Sequence, residues 1–167
     1  MKNSLLASLF ILVAGLAQAE TTVTLEGVHN CCKSCTKGIV GAADGLKDVT
    51  ITAEGKTVTI TAKSKANAKK AVEAMMDAGY YGKSSEETPS TTSAPKADKK
   101  LKDATVTGVH LCCGKCVTAM TDAVKTVPGV TEYTIENKAK SFTVKGDFSE
   151  NDLLTAMNKA GFNGSIK

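Results

Sequence analysis

The six cysteines of this 167-residue chain lie in two nearly identical clusters. The clusters read Gly-Val-His-Asn-Cys-Cys-Lys-Ser-Cys over residues 27–35 and Gly-Val-His-Leu-Cys-Cys-Gly-Lys-Cys over residues 108–116, and they also hold both histidines. Thiolate and imidazole bind soft and borderline metal ions, and paired thiols also exchange with disulfides. The pattern therefore predicts two copies of one thiol site, which either binds a soft metal or performs thiol–disulfide chemistry.

The number of ligands in each copy is left open by the sequence. Two thiolates of a Cys-x-x-Cys pair suit linear Cu(I) or Hg(II), and a third thiolate permits trigonal coordination. Three thiolates with one imidazole match the Cys₃His set of a tetrahedral zinc site. We expect thiolate-dominated binding, with the histidines hydrogen-bonded nearby rather than bound to the ion. The candidate metal ligands are Cys32, Cys35, Cys113, Cys116, Cys31, Cys112, His29 and His110.

Each Cys-x-x-Cys is predicted to lie at the start of a helix. Apolar residues follow it at helical spacing, over about residues 34–46 in the first copy and from Val117 to Val127 in the second. A helix N-terminus exposes unpaired N–H groups and a partial positive charge, so it favours the thiolate form that binds metal. Cys35 and Cys116 continue the apolar stripes of their helices and are expected to pack inward.

The remaining periodicities place the two clusters in two copies of one small domain. In the first copy, alternating residues around Val23 predict a strand, and β-branched runs on either side of Gly55 predict a hairpin. A helix is predicted over residues 66–78, ended by Gly79, and its counterpart over 150–160 is capped by Ser149. Short strands around Tyr80 and Phe162 are expected to close the units. The order is βαββαβ, so we predict an α+β protein of two ferredoxin-like domains.

The predicted organisation begins with a signal peptide at residues 1–19. Lys2, an apolar stretch and a small-residue site ending at Ala19 are typical of a cleaved leader, so we expect a periplasmic or secreted protein. The domains are predicted at 21–83 and 104–167. Residues 84–103 are poor in apolar side chains and are expected to form a flexible linker that lets the domains move independently. We expect no membrane span in the mature chain.

Composition argues against a nucleic-acid partner. All 21 basic residues are lysine, and aromatic residues make up 4% of the chain. Proteins that read nucleic acids rely on arginine for bidentate contacts with bases and phosphates. Neither a Ser-His-Asp set nor a phosphate-binding glycine loop is present, so we do not expect an enzyme.

Each repeat resembles a heavy-metal-associated domain, the type found in copper chaperones, metal-pumping ATPases and the periplasmic mercury-binding protein. That family has a βαββαβ order, a Cys-x-x-Cys before the first helix, and a Gly-Tyr or Gly-Phe after the second. The matching residues are Cys32, Cys35, Gly79 and Tyr80 in the first repeat and Cys113, Cys116, Gly161 and Phe162 in the second. This chain lacks the methionine that the family has two residues before the motif, and it adds a cysteine and a histidine.

The favoured hypothesis is an exported, non-enzymatic metal-binding protein: a chaperone, scavenger or buffer with one Cys-Cys-x-x-Cys site per domain. Cu(I) is the ion expected from the resemblance, with Zn(II) and Hg(II) as alternatives. A metal-transport or acceptor protein is the expected kind of protein partner. The competing hypotheses are a thiol–disulfide redox protein and a non-catalytic domain pair whose thiols are oxidised.

Overall fold

The structure, a computed structural model, describes residues 20–84 and 99–167. The predicted signal peptide and residues 85–98 of the predicted linker lie outside them. The first unit contains β1 (Thr21–Glu26), α1 (Lys33–Gly41), β2 (Val49–Glu54), β3 (Thr57–Ala62), α2 (Lys65–Asp77) and β4 (Lys83–Ser84). The second contains β5 (Lys100–Thr107), α3 (Gly114–Lys125), β6 (Val130–Tyr133), β7 (Ser141–Ser149), α4 (Glu150–Lys159) and β8 (Ser165–Ile166). Within the described ranges, no helix is both long and apolar enough to cross a membrane.

Two four-stranded antiparallel sheets carry the helices. Their strand orders are β2-β3-β1-β4 and β6-β7-β5-β8, so the first strand of each unit is central and its closing strand lies at the edge. This α+β arrangement is consistent with the predicted ferredoxin-like fold. A central first strand matters for the cysteines, because the loop that leaves its end is held in place by neighbours on both sides.

Local sequence explains where the elements begin and end. Gly55 has a positive φ of 56° in the β2–β3 turn, as the predicted hairpin requires. Ser64 and Ser149 cap α2 and α4, each accepting a hydrogen bond from the backbone N–H three residues on, at 3.2 and 3.1 Å. Gly79 follows α2 with a φ of 90°, a left-handed conformation that ends the helix.

Three details differ from the sequence prediction. Helix α1 ends at Gly41, short of residue 46, because residues 42–45 form turns that lead to Gly45 at a φ of 91°. The predicted linker is shorter at both ends, since Ser84 belongs to β4 and residues 100–103 to β5. The closing strands lie at 83–84 and 165–166 rather than around Tyr80 and Phe162.

Tyr80 and Phe162 pair with each other across the two units. They form an antiparallel β-bridge, flanked by backbone hydrogen bonds from Tyr81 N to Gly161 O at 3.1 Å and from Asn163 N to Gly79 O at 3.0 Å. The loops that follow α2 and α4 are therefore joined directly. The buried side chains of both units form one contiguous core cluster. The sequence predicted domains that move independently, whereas in this structure the two units are in direct contact.

Candidate metal centre

The two cysteine motifs occupy equivalent positions in their units. Gly27 and Gly108, with φ values of 81° and 74°, turn the chain as it leaves β1 and β5. Cys32 and Cys113 are then the N-cap residues of α1 and α3, as the sequence predicted. The later cysteine of each motif, one turn into the helix, faces the core and is fully buried, which confirms the predicted inward packing.

The residues in place of the family methionine shape these loops differently. Asn30 accepts a hydrogen bond from Thr36 Oγ1 at 2.9 Å, which ties the first loop to α1. Leu111, its counterpart, is buried in the core. Neither side chain offers a soft ligand atom, so the sulfurs and imidazoles carry the soft-metal chemistry.

All six sulfur atoms meet in one cluster at the interface between the two units. Ten pairs of Sγ atoms lie 3.5–4.0 Å apart, and six of those pairs join one unit to the other. The shortest, between Cys35 and Cys112, crosses the interface at 3.5 Å. The sequence predicted two separate sites, one per domain, whereas the structure brings both motifs into a single cluster.

Every cysteine in the cluster is a free thiol. Separations of 3.5 Å or more are far beyond the roughly 2.05 Å of a disulfide bond. They are close to the distance between two sulfurs that share one metal ion at about 2.3 Å. Four groups of cysteine and histidine ligand atoms within 4.8 Å of one another occur among the described residues, and three of them combine both units.

Two opposite electrostatic environments occur within the cluster. Backbone N–H groups of the first helical turn, chiefly that of Cys35, lower the pKa of Cys32 to about 6. The pKa of Cys113 is lowered in the same way, chiefly by the Cys116 N–H. Burial raises the pKa values of Cys31, Cys112 and Cys116 well above the ordinary thiol value. The metal-free cluster thus combines two helix-start cysteines, whose thiolate form is favoured, with thiols whose protonated form is favoured and which hydrogen-bond to them.

His110 is held by the opposite unit. Its ring lies against that of Tyr80, with centroids 4.4 Å apart, and its Nε2 is 2.9 Å from the Tyr80 hydroxyl. The same hydroxyl donates to the carbonyl oxygen of Cys35 at 3.2 Å. A groove of about 420 Å³ opens beside His110 and Cys112. The hydrogen-bond partner of His110 therefore comes from the other unit, and a ring nitrogen of His110 also lies within 4.8 Å of the sulfurs of Cys35, Cys112 and Cys116.

His29 occupies the mirror position but lacks that partner. Its ring stacks on Phe162 with centroids 4.3 Å apart, and phenylalanine has no hydroxyl to offer. Its Nε2 is buried and makes no hydrogen bond. The backbone of Ala160 accepts a hydrogen bond from the same imidazole, and burial lowers the pKa of the ring, so it is neutral at neutral pH. A ring nitrogen of His29 lies within 4.8 Å of the sulfurs of Cys31 and Cys116.

Sequence reasoning did not anticipate that Tyr80 and Phe162 pack on the histidines of the opposite repeat. They were expected in the short strands that close their own units. The only sequence signal was that Gly-Tyr and Gly-Phe recur at matching places in the two copies. The methionines at helical spacing behave as core residues, since Met75, Met120 and Met157 are fully buried.

Comparison with known proteins supports the metal-binding interpretation for the second repeat. Residues 105–163 match the family model of the heavy-metal-associated domain. Among solved structures, the chain is similar to the solution structure of the N-terminal soluble domains of Bacillus subtilis CopA. That similarity has 15% sequence identity and a TM-score of 0.33, and it covers 90% of this chain and 95% of the other.

Proposed function

We propose that this protein is an exported, non-enzymatic binder of soft metal ions, with Cu(I) as its cargo, and that it acts as a chaperone, scavenger or buffer outside the cytoplasm. The observation that carries the proposal is the convergence of six free thiols at 3.5–4.0 Å in one cluster. The match of residues 105–163 to a heavy-metal-associated domain supports heavy-metal binding.

The chemistry of the cluster favours a soft ion. Thiolates select Cu(I) and other soft ions over hard ones. Backbone N–H groups at the helix starts favour the thiolate form of Cys32 and Cys113, which are partly exposed and can meet an arriving ion. The protonated thiols around them lose their protons when an ion binds, so binding releases protons and weakens at low pH.

Export and a protein partner complete the proposal. The leader-like residues 1–19 are the basis for export. A metal-transport or acceptor protein would receive the ion by thiolate exchange, which begins at the sulfurs nearest to solvent. Cys31, Cys32, Cys112 and Cys113 are partly exposed, whereas Cys35 and Cys116 are fully buried. Among the four partly exposed cysteines, only Cys32 and Cys113 have a lowered pKa, so these two helix-start cysteines are the exchange points.

The test is a Cu(I) titration of the reduced mature chain under anaerobic conditions, against a chromophoric competitor for Cu(I). Two triple variants are compared: one converts Cys31, Cys32 and Cys35 to serine, and the other converts Cys112, Cys113 and Cys116. A shared site predicts that either variant loses well over half of the tight binding capacity. Met76→Leu removes a thioether outside the cluster and is expected to leave binding unchanged. A chain that binds no Cu(I) while all six thiols titrate as free contradicts the proposal.

A further inference from the structure

The pattern of sulfur contacts is that of an octahedron. The ten pairs at 3.5–4.0 Å, together with the adjacent pairs Cys31–Cys32 and Cys112–Cys113 within 4.8 Å, are twelve edges connecting six vertices. The pairs left over are the three sets of opposite vertices: Cys31 with Cys112, Cys32 with Cys116, and Cys35 with Cys113. An octahedron has eight triangular faces, and each face is a set of three sulfurs that can hold one trigonal ion.

Four of these faces can be chosen so that no two of them share an edge, and each sulfur then belongs to two of the four. We call such faces alternate faces. One such set comprises Cys31-Cys32-Cys35, Cys32-Cys112-Cys113, Cys35-Cys112-Cys116 and Cys31-Cys113-Cys116; the other set contains the remaining four faces. In either set, three of the four faces combine sulfurs of both units. Resting on the proposed function, we infer that the cargo is a tetranuclear Cu(I)–thiolate cluster, in which each cysteine bridges two ions and the cluster joins the two units.

The dimensions and charge of the cluster fit this cargo. An ion at the centre of a triangle with 3.7 Å edges lies about 2.1 Å from each sulfur, near the ~2.3 Å of a metal–thiolate bond. Six thiolates carry six negative charges, and a buried charge is costly unless it is compensated. Four monovalent ions compensate four of those charges, whereas one ion per domain compensates only two.

The geometry makes a specific prediction for cysteine variants. Each sulfur belongs to two of the four alternate faces, and opposite sulfurs share none. Cys31→Ser removes the two faces that contain Cys31. The two remaining faces both contain Cys112, so two ions remain and the sulfur of Cys112 bridges them. Cys31→Ser combined with Cys112→Ser removes all four faces, although both Cys-x-x-Cys pairs are intact.

The experiment measures Cu(I) bound at saturation by native mass spectrometry and copper–copper scattering by X-ray absorption. The wild-type chain is expected to bind four Cu(I) with a short copper–copper contact. The single variant Cys31→Ser keeps that contact, and the double variant loses it while binding at most two ions. Saturation at two ions without copper–copper scattering in the wild type overturns the tetranuclear cluster and leaves the proposed function standing. No Cu(I) binding at all overturns both.

A separate observation concerns His29. The hydroxyl of Tyr80 occupies the space where a side chain on Gly38 would begin, so that glycine makes room for the hydroxyl that bonds His110. The residue equivalent to Gly38 in the second unit is Ala119, and it is paired with Phe162, which has no hydroxyl. The two sides of the interface therefore differ at equivalent atoms. Nε2 of His110 has a hydrogen-bond partner, whereas Nε2 of His29 is buried without one.

We infer that His29 is a metal ligand through Nε2, at an ion that Cys31 and Cys116 also bind. Histidine ligands commonly donate one ring nitrogen to a backbone carbonyl and bind metal through the other, and the Ala160 contact gives His29 that arrangement.

Histidine-selective ¹⁵N NMR of the full chain during Cu(I) loading tests this role. The Nε2 resonance of His29 is expected to move on loading. In the double variant Ala119→Gly with Phe162→Tyr, a new hydroxyl supplies His29 with a partner, and the movement is expected to be lost. Tyr80→Phe is the matched variant that frees His110 without touching His29. An unmoved His29 Nε2 in the loaded wild type overturns this role alone.

Discussion

At the scale of single residues, neighbouring cysteines in one motif have opposite acid–base character. Cys32 caps α1, where backbone N–H groups stabilise its thiolate, whereas Cys31 is one residue earlier, is half-buried, and has its pKa raised by desolvation and by neighbouring sulfurs. The two side chains are chemically the same, so the difference comes from their positions alone. The sequence predicted a helix-start thiolate but assigned Cys31 no distinct character.

This difference predicts the alkylation pattern of the metal-free, reduced protein. Because the pKa of Cys32 is lowered to about 6, its thiolate is present above pH 6 and is lost as the pH falls below that value. Its reaction with iodoacetamide should stay fast from pH 8 to 7 and slow down below pH 6. Cys31, whose pKa is raised, should remain unreactive over the same range.

Peptide mapping by mass spectrometry after brief labelling measures both rates in one sample. Free cysteine is the control, since its rate should already fall between pH 8 and 7. A faster rate at Cys31 than at Cys32 would contradict the assigned protonation states.

At the scale of elements, the glycines that end α2 and α4 also bring the two units together. A Cβ built on Gly79 would lie 2.5 Å from the backbone nitrogen of His110 and 2.8 Å from the backbone oxygen of Gly108. Gly161 has the same relation to His29 and Gly27. The sequence predicted that Gly79 ends a helix, which a left-handed backbone requires. It did not predict that these glycines also leave room for the backbone of the other unit, because that contact depends on a loop far away in the sequence.

Gly79→Ala should therefore separate the units, and Gly45→Ala is its matched control. Both residues belong to the first unit, with φ values of 90° and 91°, but a Cβ at Gly45 meets no atom within 4 Å. Each substitution should cost about 1–2 kcal/mol for the left-handed backbone. Only Gly79→Ala should also abolish the contact between Tyr80 and His110.

Denaturant unfolding measures the free energy of each variant, and nuclear Overhauser effects between the Tyr80 and His110 rings report the interface. If Gly45→Ala loses those effects as completely as Gly79→Ala, the close approach at Gly79 is not what holds the units together.

At the scale of the whole molecule, the fold of each unit was predictable and their assembly was not. Strand alternation, the Gly55 hairpin and the Ser149 cap are local signals, and the structure contains the elements they predict. The convergence of the motifs depends on contacts between residues about 80 positions apart, such as Cys35 with Cys112. Identical motifs predict identical sites, but they do not reveal whether those sites are separate or shared.

The arrangement also gives the duplicated sequence a physical role. One Cys-Cys-x-x-Cys motif offers a single triangle of sulfurs, and two facing motifs create six further triangles that combine both units. Under the proposal, an ion bound at one of those mixed triangles would stabilise the contact between the units, since a ligand that binds only one form shifts the equilibrium towards that form.

The central claim is that one ion is bound by sulfurs of both motifs. Cadmium is a soft, thiolate-seeking ion, and ¹¹³Cd couples to the β-protons of the cysteines that bind it. The reduced chain loaded with ¹¹³Cd(II) should therefore show cadmium resonances that correlate with cysteines of both units, Cys35 and Cys112 among them. Resonances that each correlate only with Cys31, Cys32 and Cys35, or only with Cys112, Cys113 and Cys116, would contradict the shared site.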